Sequence, residues 1–122
     1  MQPPDALIRE GITSLPTIGD GRQSGTSASP SILNASPEAA VGGGLALLKT
    51  GDRVRVDLKT RRVDVLIDEG ELARRRAAWT PPPRPERGWA KLYVDHVQQA
   101  HLGADLDFLV GASGAGIPRD SH

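Results

Sequence analysis

The stretch that organises this chain runs from residue 19 to residue 44 and reads GDGRQSGTSASPSILNASPEAAVGGG. It is rich in glycine and serine, as flexible linkers are. Prolines and apolar residues such as Ile32-Leu33 interrupt it, however, so the pattern is not that of a random spacer. Glycine lets a backbone approach a ligand closely, and small hydroxyl groups can bind an oxygen-rich substrate or act as nucleophile or base. We therefore predict that the rest of the chain is a scaffold for this loop.

Length and composition narrow the classes of protein that fit. The chain has 122 residues, enough for one domain with a modest core. Its 15 basic and 15 acidic residues balance, which disfavours binding to nucleic acid or to an anionic membrane. There is no cysteine, so this chain alone forms neither a disulfide nor a thiolate-bound cluster. No apolar run is long enough for a membrane span and no signal peptide is evident, so a cytoplasmic location is expected.

Short elements are predicted on both sides of the loop. Residues 4–11 are expected to form a helix that Gly11 closes, and residues 12–18 a strand that leads into the loop. Ser36 is predicted to be the N-cap of a helix, with Glu38 favourable in its first turn. The apolar run 45–48 fits either a helix or a strand.

The second half of the chain has clearer periodicity. Residues 53–59 and 63–67 alternate between apolar and charged side chains, which predicts a hairpin with one buried face, reversing at Arg61-Arg62. Helices are predicted over residues 68–79, with Glu71 paired to Arg75, and over residues 89–102. The basic cluster 74–76 is predicted to be a solvated helix face.

Strands and helices do not alternate regularly, which argues against a doubly wound sheet. The predicted class is α+β, with a small, mostly antiparallel sheet or barrel. Residues 1–110 are expected to form the domain, and residues 111–122, which are small and polar, a flexible tail.

Three motifs in order carry a resemblance to a known family. They are the stretch DGR-x-SG-T, then SPEAA-x-GG, then a GDR hairpin, and ELARRRAAW adds to them. In this respect the chain resembles the dihydroxy-acid and phosphogluconate dehydratases from about residue 1 to residue 102. The wording QSGTSASPSILNASPEAA looks closer to members that dehydrate sugar acids, such as aldonate dehydratases.

The resemblance implies a fold, a reaction and cofactors. The fold is a C-terminal β-barrel domain flanked by helices, similar to the swivelling domain of aconitase-like proteins. The reaction removes water from a 2,3-dihydroxy acid or aldonic acid and gives a 2-keto acid. The full-length enzymes of the family use an iron–sulfur cluster and Mg²⁺ and are expected to be homo-oligomers.

The chain departs from the family in its length and its ligands. Family enzymes are several times longer, and their cluster cysteines lie in an N-terminal domain. This chain has no cysteine, so we expect it to bind neither cofactor alone and to be a piece of a longer enzyme, inactive by itself. The N-terminal dehydratase domain and a small hydroxy acid are the partners that the resemblance implies.

The resemblance also assigns roles inside the loop. Ser24 of the SG-T motif corresponds to the proposed catalytic base, an alkoxide whose pKa nearby metal ions would lower. Thr26 and Gly25 are expected at the substrate. Arg22 is a candidate for gripping the substrate carboxylate, or alternatively for an ion pair with Asp20.

Other polar residues have simpler interpretations. Glu38 is explained by a helix start more readily than by a metal, and Asn34 suits either a sugar hydroxyl or an Asx-type turn. Trp79 and Trp89 are expected to pack in a core or an interface. A non-catalytic small barrel that binds an anion or a partner chain through the loop is the alternative function.

Overall fold

The computed structural model describes residues 3–22 and 30–111, and its contacts divide the chain into two units, residues 1–82 and residues 83–122. In the first unit, helix α1 spans Asp5–Arg9. Gly11 has a φ of 83°, and the amides of Gly11 and Ile12 donate to the carbonyls of Ile8 and Leu7. These two hydrogen bonds form a Schellman motif, so the predicted helix and its glycine stop are confirmed.

Two very short strands stand on either side of the loop. Strand β1 is Thr17–Ile18 and strand β2 is Ser31–Ile32, and they pair in parallel with Thr17 opposite Ser31. The predicted strand over residues 12–18 is therefore wrong in length. Pro16 has no amide hydrogen to give to a ladder, and Ile12 and Leu15 are each 37% exposed.

The SPEAA-x-GG motif forms 3₁₀-helical turns. One spans Ala39–Val41 and a second spans Gly44–Leu47, which decides the conformation of the apolar run. The cap of the first turn is Glu38, so the prediction of Ser36 as N-cap is wrong. The amide of Ala39 donates instead to the distant Asp20 carboxylate, which takes over the capping role.

Gly43 is buried where two parts of this motif come together. The amide of Gly43 donates to the Glu38 carbonyl over 2.9 Å. A Cβ atom on Gly43 would overlap the backbone carbonyl of Pro37. By contrast, a Cβ on the exposed Gly44 would meet no heavy atom within 4 Å. The motif therefore requires its second glycine for a close backbone approach.

The predicted hairpin forms, but its turn covers residues 58–61, so the prediction that the chain reverses at Arg61-Arg62 is wrong for Arg62, which pairs with Asp57. Strand β3 is Val54–Asp57 and strand β4 is Arg62–Val65, antiparallel with Val54 opposite Val65 and Val56 opposite Val63. Because opposite residues share a face, these valines form one apolar face. The prediction that this face is buried is wrong for the described chain, since Val54 is 39% and Val56 46% exposed.

Helix α2, Glu69–Ala78, is anchored to the hairpin's entry turn by Arg75. Its N-cap, Asp68, accepts from the Glu71 amide. The Arg75 guanidinium binds both oxygens of Asp52 at 2.5 and 3.0 Å and also Glu71 at 2.6 Å. Arg75 is only 10% exposed, so the prediction of a solvated basic face is wrong at this residue, while its pairing with Glu71 is confirmed.

The interior of the first unit is small. Among the described residues, Leu47 is the one buried aliphatic side chain, at 5% exposure, and its carbonyl accepts from Arg75. Trp79 lies against Gly42, where a Cβ would be 3.3 Å from the indole ring. The expected packing role of Trp79 is thus confirmed, and helix α2 closes over the glycine-rich turn.

The second unit contains helix α3, Gly88–His96. The predicted helix over residues 89–102 is wrong beyond His96, because Val97 forms an antiparallel bridge with Leu106. A 3₁₀-helical turn, Ala100–Leu102, follows and ends at Gly103, and another spans Asp107–Leu109. Trp89 is 83% exposed, so it packs in no core within this unit.

The α+β class is confirmed, whereas the described residues form no closed barrel. They contain two separate two-stranded sheets, and closing a sheet on itself takes more strands than these. None of the helices within residues 3–22 and 30–111 has the length and apolar character needed to cross a bilayer.

Gly43 and the glycine that follows it, Gly44, give a matched test. Gly43→Ala should lower the free energy of unfolding by about 3 kcal/mol or more, because the new methyl group overlaps the Pro37 carbonyl. Gly44→Ala should change it by less than about 0.5 kcal/mol. Urea denaturation followed by circular dichroism measures both. Equal effects of the two substitutions would contradict the close approach.

The Asp52–Arg75 pair predicts a pH dependence. Hydrogen bonds from Arg75 and the Lys49 amide lower the pKa of Asp52 from 3.8 to about 2. The unfolded chain therefore binds more protons between these values, and the stabilisation, present above pH 3.8, is lost as the pH falls through about 2. Asp52→Asn should lower the urea midpoint at pH 7, and its difference from the wild type should shrink across this window.

The control for that measurement is Glu10→Gln, which removes an exposed carboxylate that makes no ion pair with a described residue. Its midpoint should follow the wild type throughout. A deficit of Asp52→Asn that stays constant from pH 7 to pH 2 would show that Asp52 acts through its shape and not through its charge.

Candidate functional site

The two ends of the glycine- and serine-rich loop are held side by side. The amide of Thr17 donates to the Pro30 carbonyl at 2.9 Å, and the amide of Gly19 donates to the Ile32 carbonyl at 3.0 Å. The Gly19 carbonyl then accepts from Ala35 at 2.9 Å. The chain therefore leaves at Gly19 and returns at Pro30 within one parallel ladder. Ser24, Gly25 and Thr26 lie between these ends, in the segment 23–29 that is outside the described residues.

A set of four residues, which we call the loop clamp, ties the outgoing end of the loop to the SPEAA turn. Asp20 Oδ2 accepts from the Ala39 amide at 2.5 Å. Arg22 Nη2 lies 2.6 Å from Glu38 Oε1, and these side chains are only 22% and 14% exposed. Charges this far from solvent are costly to leave without a counter-charge, so each holds the other in place. The loop clamp thus fixes Arg22 at the base of the segment 23–29.

The clamp changes the interpretation of two predicted residues. Arg22 forms an ion pair, as one of its two interpretations required, but the partner that the structure shows is Glu38 and not Asp20. Glu38 was expected to act through the helix start. Its carboxylate meets a guanidinium instead, and within residues 3–22 and 30–111 it belongs to no group of three or more side chains that could hold a metal ion. The substrate-binding role of Arg22 remains a prediction.

Sequence reasoning missed Glu38 as a member of the site. The two halves of the clamp are 16 residues apart, and no helical or strand period relates Arg22 to Glu38. The available signal was the pair of opposite charges inside two glycine-flanked motifs. Such complementarity becomes visible only when the parallel pairing of β1 and β2 is known.

Asn34 lies on the returning side of the loop. Its φ is 56°, in the left-handed region that asparagine tolerates better than most residues. The backbone therefore turns sharply at Asn34, and both the Asx-type turn and a contact to a sugar hydroxyl stay predictions.

The residues of the described chain do not provide a site for an iron–sulfur cluster or a metal ion. The sequence has no cysteine, and no group of three or more histidine and acidic side chains is gathered within residues 3–22 and 30–111. Fe–S clusters need thiolate ligands, and Mg²⁺ needs gathered oxygen ligands. The donor set of this part of the chain thus does not fit either cofactor.

His96 lies in the second unit, at the end of helix α3. His96 Nδ1 lies 3.0 Å from Asp107 Oδ1, and its ring meets Phe108 edge-on at 5.2 Å between centroids. These contacts tie the end of helix α3 to the turn Asp107–Leu109 inside the second unit. They account for His96 as a structural residue.

The loop clamp predicts an energetic coupling. In a double-mutant cycle with Arg22→Ala and Glu38→Ala, the coupling energy should be about 1 kcal/mol or more, because both charges are largely buried. The same cycle on Arg84 and Asp95, which are 3.7 Å apart with Arg84 70% exposed, should give a smaller value. Urea denaturation measures both cycles. A coupling for Arg22 and Glu38 no larger than the control would contradict the clamp.

Comparison with known proteins gives one consistent result. Residues 1–104 match the family model described as dihydroxy-acid/6-phosphogluconate dehydratase C-terminal. The chain is 51% identical to a D-xylonate dehydratase of Caulobacter vibrioides over 100% of its length, which is 21% of that protein. It is 45% identical to an L-arabinonate dehydratase of Rhizobium leguminosarum, covering 98% of this chain and 21% of that protein.

A dihydroxy-acid dehydratase of Methanothrix thermoacetophila is 44% identical over 87% of this chain and 20% of its own length. The chain thus spans about a fifth of the length of the curated relatives it matches. With the family model covering most of the chain, the chain belongs to the dihydroxy-acid/6-phosphogluconate dehydratase family and corresponds to its C-terminal portion.

Proposed function

We propose that this chain is the C-terminal part of a hydro-lyase that converts an aldonic acid or another 2,3-dihydroxy acid into a 2-keto acid. The observation that carries the proposal is the parallel ladder and loop clamp, which hold the two ends of the loop that contains the motif DGR-x-SG-T. A reactive side chain on a loop has to be held in position, and a rigid frame at the two ends of the loop provides this. The relatives named for D-xylonate and L-arabinonate favour a sugar acid as substrate.

In this proposal Ser24 is the base. As an alkoxide, its Oγ takes the proton from C2 of the acid, and the electron pair of that C–H bond forms the double bond between C2 and C3. The bond between C3 and its hydroxyl group breaks at the same time, and the departing hydroxide takes up the proton that Ser24 accepted, so that water leaves and the alkoxide is restored. The resulting enol tautomerises to the 2-keto acid. Thr26 and the backbone at Gly25 bind the substrate, and Arg22 grips its carboxylate from the position that Glu38 fixes. A serine hydroxyl is too weak an acid to be ionised at neutral pH alone, so the rest of the enzyme has to activate it.

The proposal extends to the complete enzyme. An iron–sulfur cluster and Mg²⁺ would be bound by the N-terminal dehydratase domain, since this chain has no cysteine and its described residues gather no group of metal ligands. The complete enzyme would be a cytoplasmic homo-oligomer in sugar-acid metabolism or branched-chain amino-acid biosynthesis, with residues 1–110 in a domain similar to the aconitase-like swivelling domain and residues 111–122 as its tail.

A chimera tests the proposal. The C-terminal fifth of the Caulobacter D-xylonate dehydratase is replaced by this chain, and 2-keto-acid formation from D-xylonate is measured. Ser24→Ala should lower turnover by about 100-fold or more, because a general base of this kind contributes that much. Ser29→Ala, in the same loop but outside the motif, should keep turnover within a few fold of the unmodified chimera.

Unchanged turnover in Ser24→Ala would refute the base assignment. If the chimera were inactive while the isolated chain bound aldonates in calorimetry, the non-catalytic anion-binding module would be favoured instead.

A further inference from the structure

The apolar face of the hairpin is left uncovered. Val54, Val56 and Val63 are 39%, 46% and 44% exposed, and Leu58 is 83% exposed. An antiparallel sheet normally packs one of its faces against a core. Four neighbouring aliphatic side chains on one open face are the pattern of an interaction surface.

This face borders a groove, which we call the hairpin groove. It has a volume of about 680 Å³ and runs between the β1–β2 pair and strand β3. Its apolar lining includes Ile18, Pro30, Ile32, Val54, Val56 and Leu58. A second cavity of about 210 Å³ shares Ile18 and Val54 with it and continues to Leu45 and Val65. The hairpin groove is therefore the wider end of a continuous apolar surface inside the first unit.

The hairpin beside the groove has open strand edges. Among the described residues, β3 and β4 pair as strands only with each other, so each of the two keeps one edge with no strand beside it. Unpaired backbone groups beside an apolar groove are a template for an added strand, which gains main-chain hydrogen bonds and places alternate side chains in the groove. An extended segment thus fits this surface better than a helix.

The net charge of the hairpin selects the kind of segment. Residues 53–66 carry five basic and two acidic side chains. Asp64 pairs with Arg55 and Arg62, whereas Arg53, Lys59 and Arg61 take part in none of the ion pairs between described residues. A second copy of the chain would bring two basic hairpins together, which costs energy within the screening length of about 8 Å. An acidic segment is attracted instead.

We propose that the hairpin groove receives an extended segment, alternating between apolar and acidic residues, from the upstream part of the dehydratase. The source of the segment rests on the proposed function. It is supported by the length of the relatives, because this chain covers only 21% of the D-xylonate dehydratase and matches the C-terminal family model. About four-fifths of such an enzyme is available to supply the missing cover.

Photo-crosslinking in the chimera tests the proposal without reference to activity. A benzophenone-bearing amino acid replaces Val56 on the apolar face or, as a control, the exposed Arg74 of helix α2, which does not line the groove. Position 56 should crosslink to an upstream segment in which apolar and acidic residues alternate, identified by mass spectrometry, and position 74 should not. Crosslinks from position 56 to a second copy of the C-terminal portion, or equal crosslinking from both positions, would overturn the proposal.

A second measurement needs no chimera. The 122-residue chain is titrated with a fluorescent peptide in which valine alternates with glutamate, and with the same peptide carrying lysine. The glutamate peptide should bind, and the affinity of the lysine peptide should be lower by about tenfold or more. Val56→Asp should abolish binding, whereas Val94→Asp, at a 41% exposed valine of the second unit, should not. Equal affinities for the peptides, or an equal effect of the two substitutions, would contradict an acidic strand in the groove. Because neither measurement reports turnover, failure here is distinct from failure of the base assignment.

Discussion

The carboxylate of Asp20 and the guanidinium of Arg22 fasten one end of the glycine- and serine-rich loop to a turn that lies 16 or more residues further along the chain. The first contact is a charge-assisted hydrogen bond to Asp20, and the second is an ion pair between Arg22 and Glu38, and both are partly shielded from water. Without them, the two-residue strands β1 and β2 would be the only regular structure holding the loop, and ladders that short are marginal. The loop clamp is thus the constraint on which the candidate site depends.

The turn that receives the clamp is itself fixed by contacts that leave little room for change. Gly43 brings the backbone against the Pro37 carbonyl, and Trp79 lies on Gly42. Arg75 belongs to helix α2, which Trp79 caps at its C-terminal end. Its guanidinium binds Asp52 and the Leu47 carbonyl. Helix α2, the glycine turn and the entry to the hairpin therefore form one connected support, although it contains only one buried aliphatic side chain.

Local rules predicted the elements whose causes are local. Gly11 as a helix stop, the alternation of the hairpin and the pairing of Glu71 with Arg75 all follow from signals within a few residues. The ion pairs of Arg22 with Glu38 and of Arg75 with Asp52 join distant residues, so no period reveals them. The prediction that the valine face is buried was wrong for another reason. Alternation indicates which side chains would be stabilised by burial, and here the described residues do not cover them.

The most direct test of the loop clamp is the hydrogen-exchange rate of the Ala39 amide, measured by NMR. Ala39 begins a 3₁₀-helical turn, where an amide normally has no partner within its own helix. Its bond to Asp20 Oδ2 should make this amide exchange slowly, and Asp20→Ala should abolish that protection. An Ala39 amide that exchanges as fast as an unstructured peptide in the unmodified chain, or one that keeps its protection in Asp20→Ala, would contradict the account.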